Sequence, residues 1–241
     1  MSAQDFRDFS RYARAGIAAM TLSTLAAAAA HAGTVDWTDW TSKTSNTVSG
    51  SVLSGSTLVD VTYSGAQYAF AQINGVGTNY WSPTTPYISA TVSNPPTPVN
   101  LVALSAAGTS TITFSTAVVN PLIALVSWNR AHVTFGGGSD NQTYNIQYLS
   151  SGCGFWGCGS FSSPTSNSFV GSGELHGVIE LLGTYTTISF TDTTPENWHG
   201  LTVGFEGVAV PAVPEPSVAW LMLAGMPIFA AIARRRGRTA A

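Results

Sequence analysis

Positive charge is almost missing from the middle of this sequence. Between Gly33 and Val213 the only basic residues are Lys43 and Arg130, against nine acids: Asp36, Asp39, Asp60, Asp140, Glu174, Glu180, Asp192, Glu196 and Glu206. That stretch carries a net charge of −7, where the whole chain carries −3. A surface of that sign repels polyanions, which excludes nucleic acid as a partner and electrostatic attachment to an anionic membrane. Lys, Arg and Glu also populate helix surfaces, and their scarcity points away from helices. Cysteine is limited to Cys153 and Cys158. No H-E-x-x-H, H-x-H, G-x-S-x-G, Walker or Rossmann pattern occurs, so the usual metalloprotease, serine hydrolase and nucleotide sites lack their motifs.

What fills the stretch instead is Ser, Thr and Gly interleaved with Val, Ile, Tyr, Phe and Trp. Aromatics make up 11% of the chain, which argues against disorder. Alternating or wholly apolar runs of strand length occur at residues 57–63, 68–73, 87–92, 99–104, 111–114, 122–128, 131–135, 143–149, 175–182, 184–190 and 201–210. The run 122–128 is nearly all apolar and predicts a central strand buried on both faces. Asn74-Gly75, Asn94-Pro95-Pro96, Gly136-Gly137-Gly138 and Thr194-Pro195 are turn signals. Residues 50–55 and 171–173 read as Ser/Gly turns. The expected fold is all-β: one antiparallel, jelly-roll-like β-sandwich over residues 33–210.

The missing positive charge sits at the two ends. Arg7, Arg11 and Arg14 precede an apolar segment at residues 15–30. Ala30-His31-Ala32 then fits a small-x-small cleavage pattern, so residues 1–32 read as a signal peptide cut before Gly33. The sequence has no adjacent arginine pair there, which points to the Sec translocon and signal peptidase. At the other end, Val213-Pro214-Glu215-Pro216-Ser217 leads into an uncharged run at 218–233, followed by Arg234, Arg235, Arg236 and Arg238. Two prolines delay helix formation until after Pro216. Sixteen residues make a helix of about 24 Å, slightly short of a usual span, and Pro227 would kink it. A buried core helix is the alternative. The basic flank favours a membrane helix whose arginines stay cytoplasmic, with the domain outside the inner membrane.

This ordered triplet at residues 211–241 resembles the PEP-CTERM sorting signal of Gram-negative bacteria. Pro214, Glu215 and Pro216 match the motif, 218–233 the hydrophobic segment, and Arg234 to Arg238 the basic end. The runs 112–128 and 173–205 also look like sandwich segments common in such exported proteins. The resemblance implies recognition by an exosortase and passage through an inner-membrane-anchored precursor. Release or transfer toward the cell surface or extracellular space would follow. It implies a non-enzymatic surface or matrix protein linked to exopolysaccharide and biofilm, with Pro214 to Pro216 read by another enzyme.

Within the domain, several residues are candidates for chemistry. Cys153 and Cys158 flank Gly154-Phe155-Trp156-Gly157, and an even pair in an exported chain suggests a disulfide that presents Trp156 at a rigid tip. Phe155 and Trp156 capping the core is the alternative. Aromatic faces stack on sugar rings, which makes Tyr80, Trp81 and Trp156 candidate glycan contacts and a carbohydrate-binding module the second functional reading. A third, a metal-assisted hydrolase, would use Glu174, His176 and His199, with Glu174, His176 and Glu180 on one strand face and Glu196 nearby. Ligand spacing for a metal is lacking, so no metal or cofactor is expected. A polar strand face with Trp198 anchoring the core is the plainer account. Asp140-Asn141-Gln142 reads as an ordinary turn.

Overall fold

The computed structural model describes residues 32–65, 71–136 and 142–209. The signal segment to His31 and the whole PEP-CTERM tail lie outside them, as do residues 68–70 and Asp140-Asn141. Among the described residues no helix is long and apolar enough to cross a membrane. The described strands are numbered in chain order. They begin with β1 (Asp36–Trp37), β2 (Asp39–Lys43), β3 (Thr47–Ser54), β4 (Thr57–Ser64) and β5 (Ala71–Gln72). The middle of the chain gives β6 (Leu101–Leu104), β7 (Gly108–Val119), β8 (Leu122–Val126), β9 (His132–Phe135) and β10 (Ile146–Gly152). The last are β11 (Gly159–Ser162), β12 (Ser168–Gly173), β13 (His176–Leu181), β14 (Thr184–Asp192) and β15 (His199–Phe205).

These strands form two antiparallel sheets, a β-sandwich. One runs β10-β13-β8-β15-β6-β5, with β1 added along the far end of β15. The other runs β11-β12-β9-β14-β7-β4-β3-β2. Alternation drives the second sheet: β4 buries Val59, Val61 and Tyr63, while Leu58, Asp60 and Ser64 point out. Ile123, Leu125 and Val203 of the first sheet meet Ile112, Phe114 and Phe190 of the second in one continuous core. Burial of side chains this size contributes roughly 1.5–3 kcal/mol each.

The central strand β8 is buried along its whole length, as its unbroken apolar run predicts. Its inner residues join the main core. Its outer residues Leu122, Ala124 and Val126 join a second cluster with Val35, Trp37, Trp81, Tyr87 and Val92. A strap at the start of the domain and the loop ahead of β6 therefore cover the outer face of the sheet. Because that cover is needed, residues 87–92 do not form the expected strand. Thr85–Tyr87 is a 3-10 turn with Pro86 and Tyr87 buried, and Val92 makes only an isolated bridge to Gly33. The Ser/Gly stretches also differ from expectation. Residues 50–54 belong to β3 and residues 171–173 to β12. Gly50 lies so close to the Asp39 carbonyl that a side chain would collide with it, so the small residue permits a strand pairing.

Candidate functional site

The disulfide between Cys153 and Cys158 is formed, and the Gly154 amide donates to the Gly157 carbonyl across the tip at 2.8 Å. The hairpin joins β10 of one sheet to β11 of the other. Gly154 packs on the buried His176 ring, where any side chain would overlap it. That leaves the next two residues facing solvent: Phe155 is 40% exposed and Trp156 55%. The alternative in which they cap the core is not what forms.

Tyr80 and Trp198 come to the same place from distant segments. Tyr80 lies 5.0 Å from Phe155, 4.8 Å from Trp198 and 6.3 Å from Trp156, the last pair roughly stacked at 28°. Trp156 and Trp198 are 6.3 Å apart. Separations of this size are those of interacting rings. Trp198 is half-buried: it packs against the second core cluster and presents its other side to these rings. Trp81 corrects the sequence-based expectation most clearly. It is 1% exposed, packs edge-on against Tyr87, and donates its indole N–H to the Asn100 carbonyl at 3.1 Å. Covering the outer face of β8 takes it out of reach of a glycan.

Beside the rings opens a cleft of about 490 Å³, bounded by Ser127, Asn129, Arg130, Glu174, Thr194 to Asn197 and Trp198. An adjoining recess of about 240 Å³ runs from Ser127, Glu174 and Asn197 to Trp156. The cleft wall begins where β8 ends. Ser127 and Arg130 take left-handed backbone conformations, with φ of 59° and 60°, which ordinary residues seldom adopt. This bend turns the chain so that Ser127 donates to Glu174 Oε2, and Asn129 Nδ2 reaches Glu174 Oε1 at 3.2 Å. The Asn129 amide donates to Glu196 Oε2 at 2.7 Å. Asn129 thereby ties two carboxylates to one wall. Trp128 turns inward beneath them and donates to the Gly200 carbonyl at 2.7 Å.

Below the cleft, His199 stands between Asp192 Oδ2 at 3.9 Å and Glu196 Oε1 at 4.0 Å. His199 Nδ1, Glu196 Oε1 and Asp192 Oδ2 are buried without hydrogen-bond partners. Burial holds the imidazole well below its usual value, at about 4. Burial also pushes the Glu196 carboxyl up to about 8, opposed by the Asn129 amide and reinforced by Asp192 and Glu174. Asp192 is raised by burial too, although the Thr194 and His132 amides pull it back.

The expected Glu174–His176–Glu180 face does not act as one site. Glu174 precedes β13 and lines the cleft. His176 is fully buried, bonded to the Tyr87 hydroxyl at 2.9 Å and lowered to about 4 by desolvation. Glu180 sits in a separate recess with Asn120 and Glu206. Among the described residues no group of three or more His, Cys, Asp or Glu could hold a metal ion. Ser127, Asn129 and Asn197 are cleft residues that the sequence reading passed over. For Ser127 and Asn129 the signal is their place directly after an all-apolar strand; Asn197 lies in the loop ahead of β15 and carries none. No family model, curated protein or solved structure matches the chain.

Proposed function

We propose that this chain is an exported cell-surface or matrix protein without enzymatic activity, and that its sandwich binds polysaccharide through the rings around Trp156. The exposed Phe155 and Trp156 on a cross-linked tip, flanked by the half-buried Tyr80 and Trp198, carry the reading. Exposed rings grouped this way are rare unless they contact something. The adjoining cleft offers Asn129, Asn197 and Ser127 as partners for hydroxyl groups. The net charge of −7 over residues 33–213 favours a neutral glycan over an acidic one. Replacing Trp156 by Ala is expected to weaken retention on neutral secreted polysaccharide about tenfold, or about 1.4 kcal/mol. Because the side chain is exposed, thermal unfolding should hardly move. Equal retention of mutant and parent in affinity electrophoresis would remove the glycan reading.

The export reading supplies the setting. A signal peptide at residues 1–32 and a PEP-CTERM tail processed by an exosortase would place the domain outside the inner membrane. Deleting Pro214 to Pro216 should leave the protein in the membrane fraction, and unchanged release on cell fractionation would count against sorting. For the fold we propose a jelly roll. The set β6-β15-β8-β13 lies in one sheet and β7-β14-β9-β12 in the other, and consecutive members alternate between sheets except for β9 and β12, which pair within the second. The raised Glu196 is the one feature that favours a hydrolase. Its Oε2 is taken by the Asn129 amide and its Oε1 is buried toward His199, which withholds the proton from a substrate in the cleft.

A further inference from the structure

The first residues of the domain are seated with more care than a chain lead-in requires. Gly33 donates its amide to the Thr91 carbonyl at 3.0 Å, and its own carbonyl accepts from the Ser93 amide at 2.9 Å and the Ser93 hydroxyl at 2.8 Å. Two residues on, Val35 exchanges bonds with the Asn94 side chain at 2.8 and 2.9 Å. β1 then pairs with β15, Asp36 opposite Phe205. Continued one step, that register sets Val35 opposite Glu206, two residues along the chain from Gly33.

The contact is close. The Glu206 carboxyl group occupies the place that a Cβ on Gly33 would take. Bond geometry then puts the Gly33 nitrogen within about 5 Å of that carboxyl. Among the described residues Glu206 has no cationic partner within ion-pair distance. It shares a recess of about 250 Å³ with a second acid, Glu180. Burial raises Glu180, and the Glu206 charge adds to the rise. Two acids with no cation between them form a site that lacks one positive charge.

We propose that this seat is a binding site for the α-ammonium group created on Gly33 when the export segment is removed. The proposal rests on the reading that places the cut before Gly33. Cleavage consumes one water: the Ala32–Gly33 C–N bond breaks, Ala32 keeps a carboxylate, and Gly33 gains an amine that takes a proton at neutral pH. The new group has three donors where the amide had one. One keeps the Thr91 carbonyl, and the others turn to Glu206. Amine capture of this kind combines backbone acceptors with a carboxylate. Val35 and Trp37 belong to the layer over β8, so pinning Gly33 also fastens that cover. Maturation would tighten the fold at the point where processing ends.

The test uses the full chain in detergent, with residues 27–32 replaced by the recognition sequence of a protease that cuts directly before Gly33. One sample is compared before and after cutting, for the parent and for Glu206→Gln. After cutting, the Gly33 amine of the parent should react with an amine-selective acylating reagent at pH 7 about tenfold more slowly than that of Glu206→Gln. That factor is one unit of amine pKa. Cutting should also raise the thermal midpoint of the parent by a few degrees and leave that of Glu206→Gln unmoved. Amino-terminal sequencing of protein exported by cells separates the two layers of the argument. A first residue other than Gly33 overturns the cleavage reading and this proposal with it. Gly33 as first residue, with equal acylation rates in both proteins, overturns this proposal alone.

Discussion

Replacing Trp128 by Ala is expected to destabilise the domain by about 3–5 kcal/mol. Trp128 is among the largest fully buried side chains, placed where β8 leaves the sheet and the cleft wall begins. Its ring lies 4.5 Å from His199, 6.1 Å from Phe190 and 6.3 Å from Phe169. Removing it opens a cavity between both sheets and strips the Gly200 carbonyl of a 2.7 Å donor. The unmet carbonyl alone costs about 1–3 kcal/mol. In a domain of this size each kcal/mol lowers the midpoint by about 2–4 °C, so a fall of roughly 6–20 °C should appear by calorimetry. Trp128→Phe keeps most of the volume and loses the donor, and should fall between the two. A change below about 1 kcal/mol in urea denaturation, at unchanged m-value, would show that this residue does not support the core. Polysaccharide retention should drop along with stability, because Ser127 and Asn129 hang from the same bend.

The strands that could be read in the sequence are those whose apolar residues carry the period themselves. Residues 57–63, 111–114, 131–135 and 184–190 alternate, and each lies in a strand apart from Ala131, just ahead of β9. β3 and β12 were obscured because more than half of each is Ser, Gly or Thr. Val48, Val52 and Phe169 bury one face, but a few apolar residues among glycines look locally like a turn. The opposite error at 87–92 has the same origin. Tyr87 and Val92 are apolar because they cover a second face of the sheet, and that cover needs no strand. For the candidate site, the disulfide and Trp156 were legible because both are local. Trp81 and Trp156 look equivalent as loop aromatics, and only tertiary packing buries the first and exposes the second. The carboxylate pair was hidden for a topological reason. Asn129 meets Glu174 and Glu196 from 45 and 67 residues away in the chain, where no short motif can register the meeting. The pairing of Glu174 with His176, by contrast, is what strand parity suggests, yet Glu174 lies outside the strand and parity does not apply.

Glu196→Gln should lessen the weakening of the domain as pH rises through about 8. Glu196 titrates near 4.5 in an unfolded chain and at about 8 in the fold. Between those values the folded state holds a proton that the unfolded state has released. Stability tied to this group is therefore fully present below about pH 4.5 and is lost as pH rises through about 8. A shift of that size corresponds to roughly 4–5 kcal/mol for a group shut away from water. The carboxyl lines an open cleft, so about 2 kcal/mol is the realistic figure. His199 and His176 act on the opposite limb. Both are lowered to about 4 from an ordinary 6.5, so their contribution is present above pH 6.5 and disappears as pH falls through 4. The parent should thus be most stable between the two limbs, near pH 5–6.5. Gln preserves the shape and the acceptor for Asn129 but never ionises. The variant should follow the parent on the acid limb and exceed it by about 2 kcal/mol at pH 8.5. Urea midpoints collected from pH 4 to 9 decide the matter. Parallel curves for the two proteins would mean that the Glu196 carboxyl is solvated in the fold and that the cleft floor is wet.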